Sequence, residues 1–327
     1  MNLLIIGGAG YIGTHMVKRL HAAKHAVTIL DNLSTGYRDA VLGGEFIQGD
    51  IEDRALLDKV FLEHKVDAVL HFASFIQVGE SVKKPDIYYQ NNLSNTINLL
   101  NAMIAADVKS FIFSSTAAIF GEPSYTPIDE VHPKQPINPY GRSKWMVEQI
   151  LEDYDHAFGL KSVCLRYFNA AGADADGEIG ERHEPETHLI PILLQVASGR
   201  RERASVFGTD YPTADGTCIR DYVHVMDLCD AHIAALGYLQ VHKQSGRFNL
   251  GNGKGFSVAQ VIQAVESVTG KSLLIDYVER RPGDPAILVA DATLARSALG
   301  WSPQYSELET IVRHAWKFEQ ERYAQMQ

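Results

Sequence analysis

Two groups of residues in this 327-residue chain have the types and spacing to do chemistry. The first is Gly8-Ala9-Gly10-Tyr11-Ile12-Gly13, a G-x-G-x-x-G turn directly after the apolar run Asn2–Ile6; Gly7, Gly10 and Gly13 also satisfy G-x-x-G-x-x-G. Glycines permit a tight turn and a close backbone approach to a pyrophosphate, whose charge the following helix N-terminus stabilises. The strand–glycines–helix context makes the pattern specific, against the plainer reading of a glycine-rich turn. A second apolar run ends at Asp31, where a carboxylate can accept hydrogen bonds from ribose hydroxyls and repel a 2′-phosphate. That favours NAD over NADP. Asp50, in Gly49-Asp50-Ile51, can reach an adenine amino group or serve as a helix N-terminal acid. The second group is Tyr140 and Lys144, which share a helix face at i, i+4. Tyrosine has a reference pKa of about 10 and is a poor base at neutral pH. A lysine ammonium and a cationic nicotinamide favour phenolate, and reaching pKa 7 takes about 4 kcal/mol of differential stabilisation.

These residues need a scaffold. Asn2–Ile6, Ala26–Leu30, Glu45–Ile47, Ala68–Phe72, Phe111–Ser114 and Ser162–Tyr167 read as strands, with helical patterns over Tyr11–Ala23, Arg54–His64, Ile87–Ala106 and Tyr140–Phe158. Continuous apolar strands separated by helices predict a parallel sheet covered on both faces. Asn138 is placed to cap the last helix, with Pro139 at its first position. Beyond Ala170 the pattern loosens. Gly172–His188 reads as a long loop, and helices return at Leu189–Ser198, Val225–Leu239 and Val258–Thr269, the last capped by Ser257. The expected architecture is α/β: a doubly wound parallel-sheet dinucleotide domain over 1–168 and a smaller α/β substrate domain over 169–327. Segments of the second are expected to return to the first, with the ligand between the lobes.

Composition excludes other classes. Hydrophobic residues make up 46% and charged residues 21%, ordinary globular usage. The net charge of −10 and pI near 5.7 argue against a nucleic-acid or anionic-membrane surface. No apolar run approaches the roughly 20 residues of a membrane span, and the start MNLLIIGG lacks a signal-peptide pattern. Cys164, Cys218 and Cys229 are far apart, which fits a reducing cytoplasm. No metal site is expected: His21 and His25 have helical ligand spacing but no acid nearby. The run Gly199–Arg203 is expected to be a solvated helix end.

The glycine loop, Asn91, Ser114-Ser115-Thr116 and Tyr140-x-x-x-Lys144 together resemble the extended short-chain dehydrogenase/reductase superfamily, whose nucleotide domain is a Rossmann fold. The segments DNLSTG, HFASFIQVGES, YGRSK, LRYFNAAGA, HLIP, GTCIRDYVHVMDL, FNLGNGKGFSV and RRPGD narrow the resemblance to the UDP-glucose 4-epimerase family over nearly the whole chain. The resemblance implies that Tyr140 takes the sugar 4-hydroxyl proton while hydride passes from C4 to NAD, and that the 4-keto sugar turns and is reduced on its other face. It implies that Lys144 tunes Tyr140 and holds the nicotinamide ribose, and that Thr116 bonds the 4-oxygen. NAD is then regenerated in each turnover and behaves as a prosthetic group. The implied cofactor contacts are Gly7, Gly10, Tyr11, Ile12, Gly13, Asp31, Asn32, Asp50, Ile51, Phe72, Ala73, Asn91, Tyr140, Lys144 and Tyr167. For the UDP-galactose or UDP-glucose substrate the implied contacts, beside Thr116 and Tyr140, are Asn169, Leu189, Phe207 at the uracil, Arg220 and Arg281 at the pyrophosphate, and Asp284 at the uridine ribose. Phe207 can equally be core, whereas forked guanidinium groups suit a diphosphate.

Departures and rivals bound this reading. Ile76 stands where some members carry a lysine near the cofactor, so cofactor retention rests on the other contacts. His188 stands where an asparagine is usual, with no role assigned. A 4,6-dehydratase needs an acid pair beside Thr116, which is followed instead by Ala117-Ala118. A glucuronate epimerase needs a cationic site for the C6 carboxylate, and none is evident. A non-catalytic NAD sensor has no need of Tyr140 and Lys144. Leu288 aligns with a position lining the sugar pocket and leaves activity on UDP-N-acetyl sugars open. The two long helices, Ile87–Ala106 and Tyr140–Phe158, are expected to pair across a twofold axis in a homodimer.

Overall fold

The computed structural model describes residues 1–281 and 283–324. Seven parallel strands form the main sheet: β1 (Asn2–Ile6), β2 (Ala26–Asp31), β3 (Glu45–Gln48), β4 (Ala68–His71), β5 (Ser110–Thr116), β6 (Lys161–Tyr167) and a strand at Gly246–Leu250. Their order across the sheet is Gly246–Leu250, β6, β5, β4, β1, β2, β3. The chain starts at β1, winds outward to β3, then crosses to β4 on β1's other side. That reversal opens a crevice at the carboxyl ends of β1 and β4, where such sheets bind ligands.

Alternation along each strand divides the core into two layers. Leu3 and Ile5 face helix α1 (Tyr11–Ala22) and the Val225–His242 helix, meeting Met16, Leu20, Leu228 and Leu236. Leu4 and Ile6 face the opposite layer, with Leu57 and Phe61 of α2 (Arg54–His64), Leu99 and Met103 of the Asn95–Ala105 helix, and Val147 and Leu151 of the Pro139–Phe158 helix. A third cluster joins the Leu189–Ala197, Val258–Thr269 and Leu308–Ala324 helices through Leu193, Val261, Val265 and Ile311. Short paired strands flank it, Ala204–Phe207 with Ile275–Val278 and Asn169–Ala171 with Tyr222–His224. Both the Gly246–Leu250 strand and the Val225–His242 helix come from beyond residue 168 yet build the main sheet and its cover.

One expected element is different. Ile87–Ala106 is not a single α-helix: it is α-helical over Pro85–Tyr88, π-helical over Tyr89–Ser94 and α-helical again over Asn95–Ala105. The wider turn needs stabilisation, and Thr96 Oγ1 supplies some by donating to the Asn92 carbonyl at 2.9 Å. Such π segments are common at functional sites because they re-aim side chains. Here two consecutive asparagines, Asn91 and Asn92, serve the crevice and the loop beside it. The Gly199–Arg203 run is also less free than expected, since Arg200 pairs with Glu319 at 2.8 Å and Arg203 with Asp276 at 2.7 Å.

Candidate active site

At the β1–α1 junction the backbone is cradle-shaped because side chains are excluded. Gly7 has φ +77°, and a Cβ there would lie 2.5 Å from the Ala73 nitrogen. A Cβ on Gly13 would lie 2.2 Å from the Gly7 carbonyl oxygen. Gly10 precedes α1 without a side-chain cap, so the first-turn N–H groups of Tyr11, Ile12 and Gly13 face an anion-binding opening. A cleft runs from this turn, lined by Gly7, Gly10, Asp31, Asn32, Asp50, Ile51, Phe72, Ala73 and Asn91 among others. Nine of the expected cofactor residues thus share one wall, and the glycine cradle suits the pyrophosphate of NAD.

Asp31 is buried at the end of β2, accepting from the Ala9 N–H and the Leu33 N–H, each at 2.8 Å. Burial pushes its carboxyl above the usual range, and these two donors pull it back. Asn32 donates to Asp50 at 2.6 Å, lining the two up on the same rim. Asp50 does not cap α2; Asp53 does, accepting from the Leu56 N–H at 3.0 Å, while Asp50 closes a local turn onto Glu52. Asp31→Ala is expected to weaken NAD binding about tenfold or more, since hydrogen bonds to a charged group are worth about 1.5–3 kcal/mol. It should also narrow the preference over NADP. Calorimetric titration of both dinucleotides checks this, and an unchanged preference ratio would remove Asp31 from cofactor selection.

The Pro139–Phe158 helix carries Tyr140 and Lys144 past the carboxyl end of β5. Asn138 caps it as expected, accepting from the Gly141 N–H at 2.8 Å. Lys144 is buried; its Nζ donates to Ser74 Oγ at 2.6 Å and to the Ser114 carbonyl at 2.9 Å, and lies 4.7 Å above the Phe113 ring centre. Burial lowers its pKa to about 7. Burial also raises the Tyr140 phenol, partly offset by the nearby Thr116 hydroxyl. Lys144 donates to Ser74 and Ser114, and a cation beside a phenol that burial raises favours the phenolate.

The loop after β4 is held by Asn92, which sequence reading overlooked. Its Oδ1 accepts from the Phe75 N–H at 2.9 Å and its Nδ2 donates to the Phe75 carbonyl at 3.0 Å. That pair fixes Ser74 beneath Lys144 and leaves Ile76 39% exposed. The Tyr11 hydroxyl is taken by the Gly172 carbonyl at 2.6 Å, so Tyr11 offers the cleft its backbone. Tyr167, at the end of β6, lies near Tyr140, and burial raises its phenol strongly.

On the second lobe, Arg220 and Asp284 are salt-bridged, and Arg281 stacks 3.8 Å above the Phe207 ring. Phe207 therefore belongs to the same surface as both arginines. Asn169, at the start of the Asn169–Ala171 strand, donates its amide to the Asp221 carbonyl at 3.0 Å. Asp221, also overlooked, is buried beside Arg220 and accepts from the N–H groups of Asn252, Gly253 and Ala290. Burial lifts its pKa to about 6 against those donors. A buried acid next to an arginine in IRDY was the available signal. Leu189 opens the Leu189–Ala197 helix, with His188 at its N-cap. Burial disfavours charge on His188, but Glu181 and Glu186 outweigh it and hold its pKa up at about 10. Leu288 packs with Ala117, Ile119 and Phe120, the residues following Thr116.

Comparison with known proteins identifies the family. Residues 3–251 match the NAD dependent epimerase/dehydratase family. The chain is 53% identical to a UDP-glucose 4-epimerase of Halalkalibacterium halodurans, over 98% of this chain and 96% of that one. It superposes on the UDP-glucose 4-epimerase of Brucella ovis in complex with NAD with a TM-score of 0.95 and 47% identity, covering 97% and 98% of the two chains. A further match is the Bifidobacterium longum UDP-glucose 4-epimerase in complex with NAD+ and UDP, with a TM-score of 0.94, 37% identity and 99% of both chains covered.

Proposed function

The chain belongs to the NAD dependent epimerase/dehydratase family, and from that premise we propose the residue-level course of the reaction it catalyses, the interconversion of UDP-galactose and UDP-glucose. NAD, when bound, supplies a reversible hydride acceptor for C4 of the sugar. Tyr140 removes the 4-hydroxyl proton and returns it after the 4-keto sugar has turned over. Thr116 holds the 4-oxygen against the phenol. Lys144 secures the nicotinamide ribose and, with the pocket filled, stabilises the phenolate. Arg220 and Arg281 bind the diphosphate, Phe207 flanks the uracil, and Asp284, released from Arg220, meets the uridine ribose. Asn169 and Leu189 hold the phosphate–sugar end. The observation that carries this reading is the convergence of the glycine cradle, Thr116, Tyr140 and Lys144 on the carboxyl edge of one parallel sheet. Conversion of UDP-galactose to UDP-glucose by purified protein without added NAD tests it; strict dependence on added NAD in every turnover would contradict the prosthetic role.

Lys144→Met should lower the rate and move the rising limb of the pH profile to higher pH. Removing a cation from beside a phenol that burial already raises makes phenolate harder to form. An unmoved limb would separate Lys144 from proton transfer and leave it a cofactor anchor.

Substrate width follows from Leu288. Lying against the residues after Thr116, it is branched and bulkier than serine, so UDP-N-acetyl sugars should be poor substrates. A clash of a methyl group or two is worth about 1–3 kcal/mol, so weak side activity fits. Leu288→Ser is expected to raise the N-acetyl to plain-sugar ratio of kcat/KM roughly tenfold or more; no gain would assign the limit to another residue.

A homodimer in the cytoplasm completes the proposal. The Val78–Lys83 and Pro139–Phe158 helices expose Val78, Val82 and Met146, apolar surface that a second copy can cover. All three cysteines are free and buried, as suits a reducing compartment. Among the described residues no helix is long and apolar enough to cross a membrane. Light scattering showing a concentration-independent monomer would refute the dimer.

A further inference from the structure

One cluster of side chains has no part in the reaction just described. Glu181, His183, Glu186 and His188 come from a single eight-residue stretch, Glu-x-His-x-x-Glu-x-His, between the two lobes. Their side chains converge. His188 Nδ1 lies 2.8 Å from Glu181 Oε1 and 3.0 Å from Glu186 Oε1. His183 Nδ1 lies 3.2 Å from the same Glu181 oxygen and 3.9 Å from Glu186 Oε2. One donor atom from each of the four residues lies within 4.8 Å of all the others. Both carboxylates are withdrawn from water, with side-chain exposures of 6% for Glu181 and 3% for Glu186.

We propose that Glu181, His183, Glu186 and His188 form a binding site for a divalent transition metal, with zinc the best match to two imidazole nitrogens and two carboxylate oxygens. A tetrahedral zinc with bonds of about 2.0–2.1 Å has its ligand atoms about 3.3 Å apart, and the observed separations straddle that value. Imidazole and carboxylate donors together suit zinc and its first-row neighbours better than calcium or magnesium, which favour all-oxygen sets. Metal ligation requires both imidazoles deprotonated; the two carboxylates then carry −2, which one divalent ion cancels in place of the proton that His188 holds without it. The supporting shell is built as well. Glu186 Oε1 accepts from the Thr187 and His188 N–H groups at 2.8 and 2.9 Å, fixing the carboxylate before any ion arrives.

The neighbouring acidic group gives the contrast. Asp174, Asp176 and Glu178 also converge, but Lys18 Nζ sits among them at 2.7, 3.5 and 2.5 Å and already supplies the cation. No lysine or arginine is ion-paired with Glu181 or Glu186 among the described residues; their ion-pair partners are the two histidines. The site's position suggests what a bound ion does. The His183 ring meets the Tyr11 ring edge-on at 6.4 Å, and Tyr11 opens the helix whose N-terminus faces the cofactor cleft. His188 occupies the N-cap position of the helix that begins at Leu189 and leaves its ring to the carboxylates. A metal here pins the connecting loop between the cofactor turn and the substrate lobe.

The test uses the full-length, untagged protein. After chelator treatment and desalting, zinc chloride is titrated in by calorimetry, and cobalt(II) is added separately to record its visible absorption. We expect about one zinc per chain, a raised Tm with zinc, and the intense absorption of a tetrahedral cobalt site. A Glu181→Gln/His183→Gln double variant should bind zinc at least tenfold more weakly. Absence of stoichiometric binding by the parent chain would overturn the proposal and reduce the cluster to imidazolium–carboxylate pairs. Equal binding by parent and variant would overturn it too, by locating the ion elsewhere. The parent's cobalt spectrum decides the matter if the variant fails to fold: octahedral-type weak absorption counts against the site.

Discussion

Tyr140→Phe retains NAD and loses epimerisation by at least about 10²–10⁴-fold, the usual worth of a general base. The loss should reach the upper end or exceed it, because the same oxygen removes the proton and later returns it. The substitution deletes one atom from a half-buried ring whose hydroxyl faces Thr116, so the cleft is otherwise preserved. The glycine cradle and Asp31 rim lie on other elements, and cofactor content should therefore match that of the parent. A coupled assay for UDP-glucose gives the rate, and release of NAD on denaturation gives the content. A variant within tenfold of the parent rate would assign the proton to another group. Loss of NAD in parallel with activity would mean that Tyr140 serves binding more than chemistry.

The second large effect concerns stability. Arg166 on β6 and Glu148 on the Pro139–Phe158 helix form a fork-to-fork pair, with Nη2 to Oε2 at 2.6 Å and Nε to Oε1 at 3.0 Å. Their side chains are 1% and 0% exposed. Ser115 Oγ adds a donor to Glu148 at 2.6 Å, one residue from Thr116. Arg166→Met leaves the buried carboxylate with only Ser115 and the more distant Arg247, 3.5 Å from Oε2, and removal of one partner from a buried pair costs about 3–5 kcal/mol. A lowered urea midpoint with an unchanged m-value reads this out. Replacing both partners, Arg166→Met with Glu148→Leu, should recover much of the loss, since a well-packed apolar pair avoids the desolvation penalty. A loss below about 1 kcal/mol in the single variant would show that water reaches the site. Because Glu148 is one turn beyond Lys144, the single variant should also lower kcat more than it raises KM.

Local sequence determined a good deal here. The strands β1 to β6, the glycine turn, the cap at Asn138 and the capping box at Ser257 are each set by residues within a few positions of one another, so period and propensity suffice to read them. The pairing of Tyr140 with Lys144 on one helix face is likewise a matter of spacing. Tertiary structure decided the rest. Sheet order depends on which strands meet across the core, so the return of Gly246–Leu250 to the edge of β6 could be anticipated only loosely. The π turn at Tyr89–Ser94 carries Asn92, which clamps the Phe75 loop through a contact between residues that the sequence keeps seventeen positions apart. Protonation was least legible of all. Spacing put an ammonium near a phenol, but burial raised Tyr140, lowered Lys144 to about 7 and turned the ammonium toward Ser74 and Ser114. A sequence names the groups that can carry charge; the desolvation and the partners that set each charge come from residues brought together only by the fold.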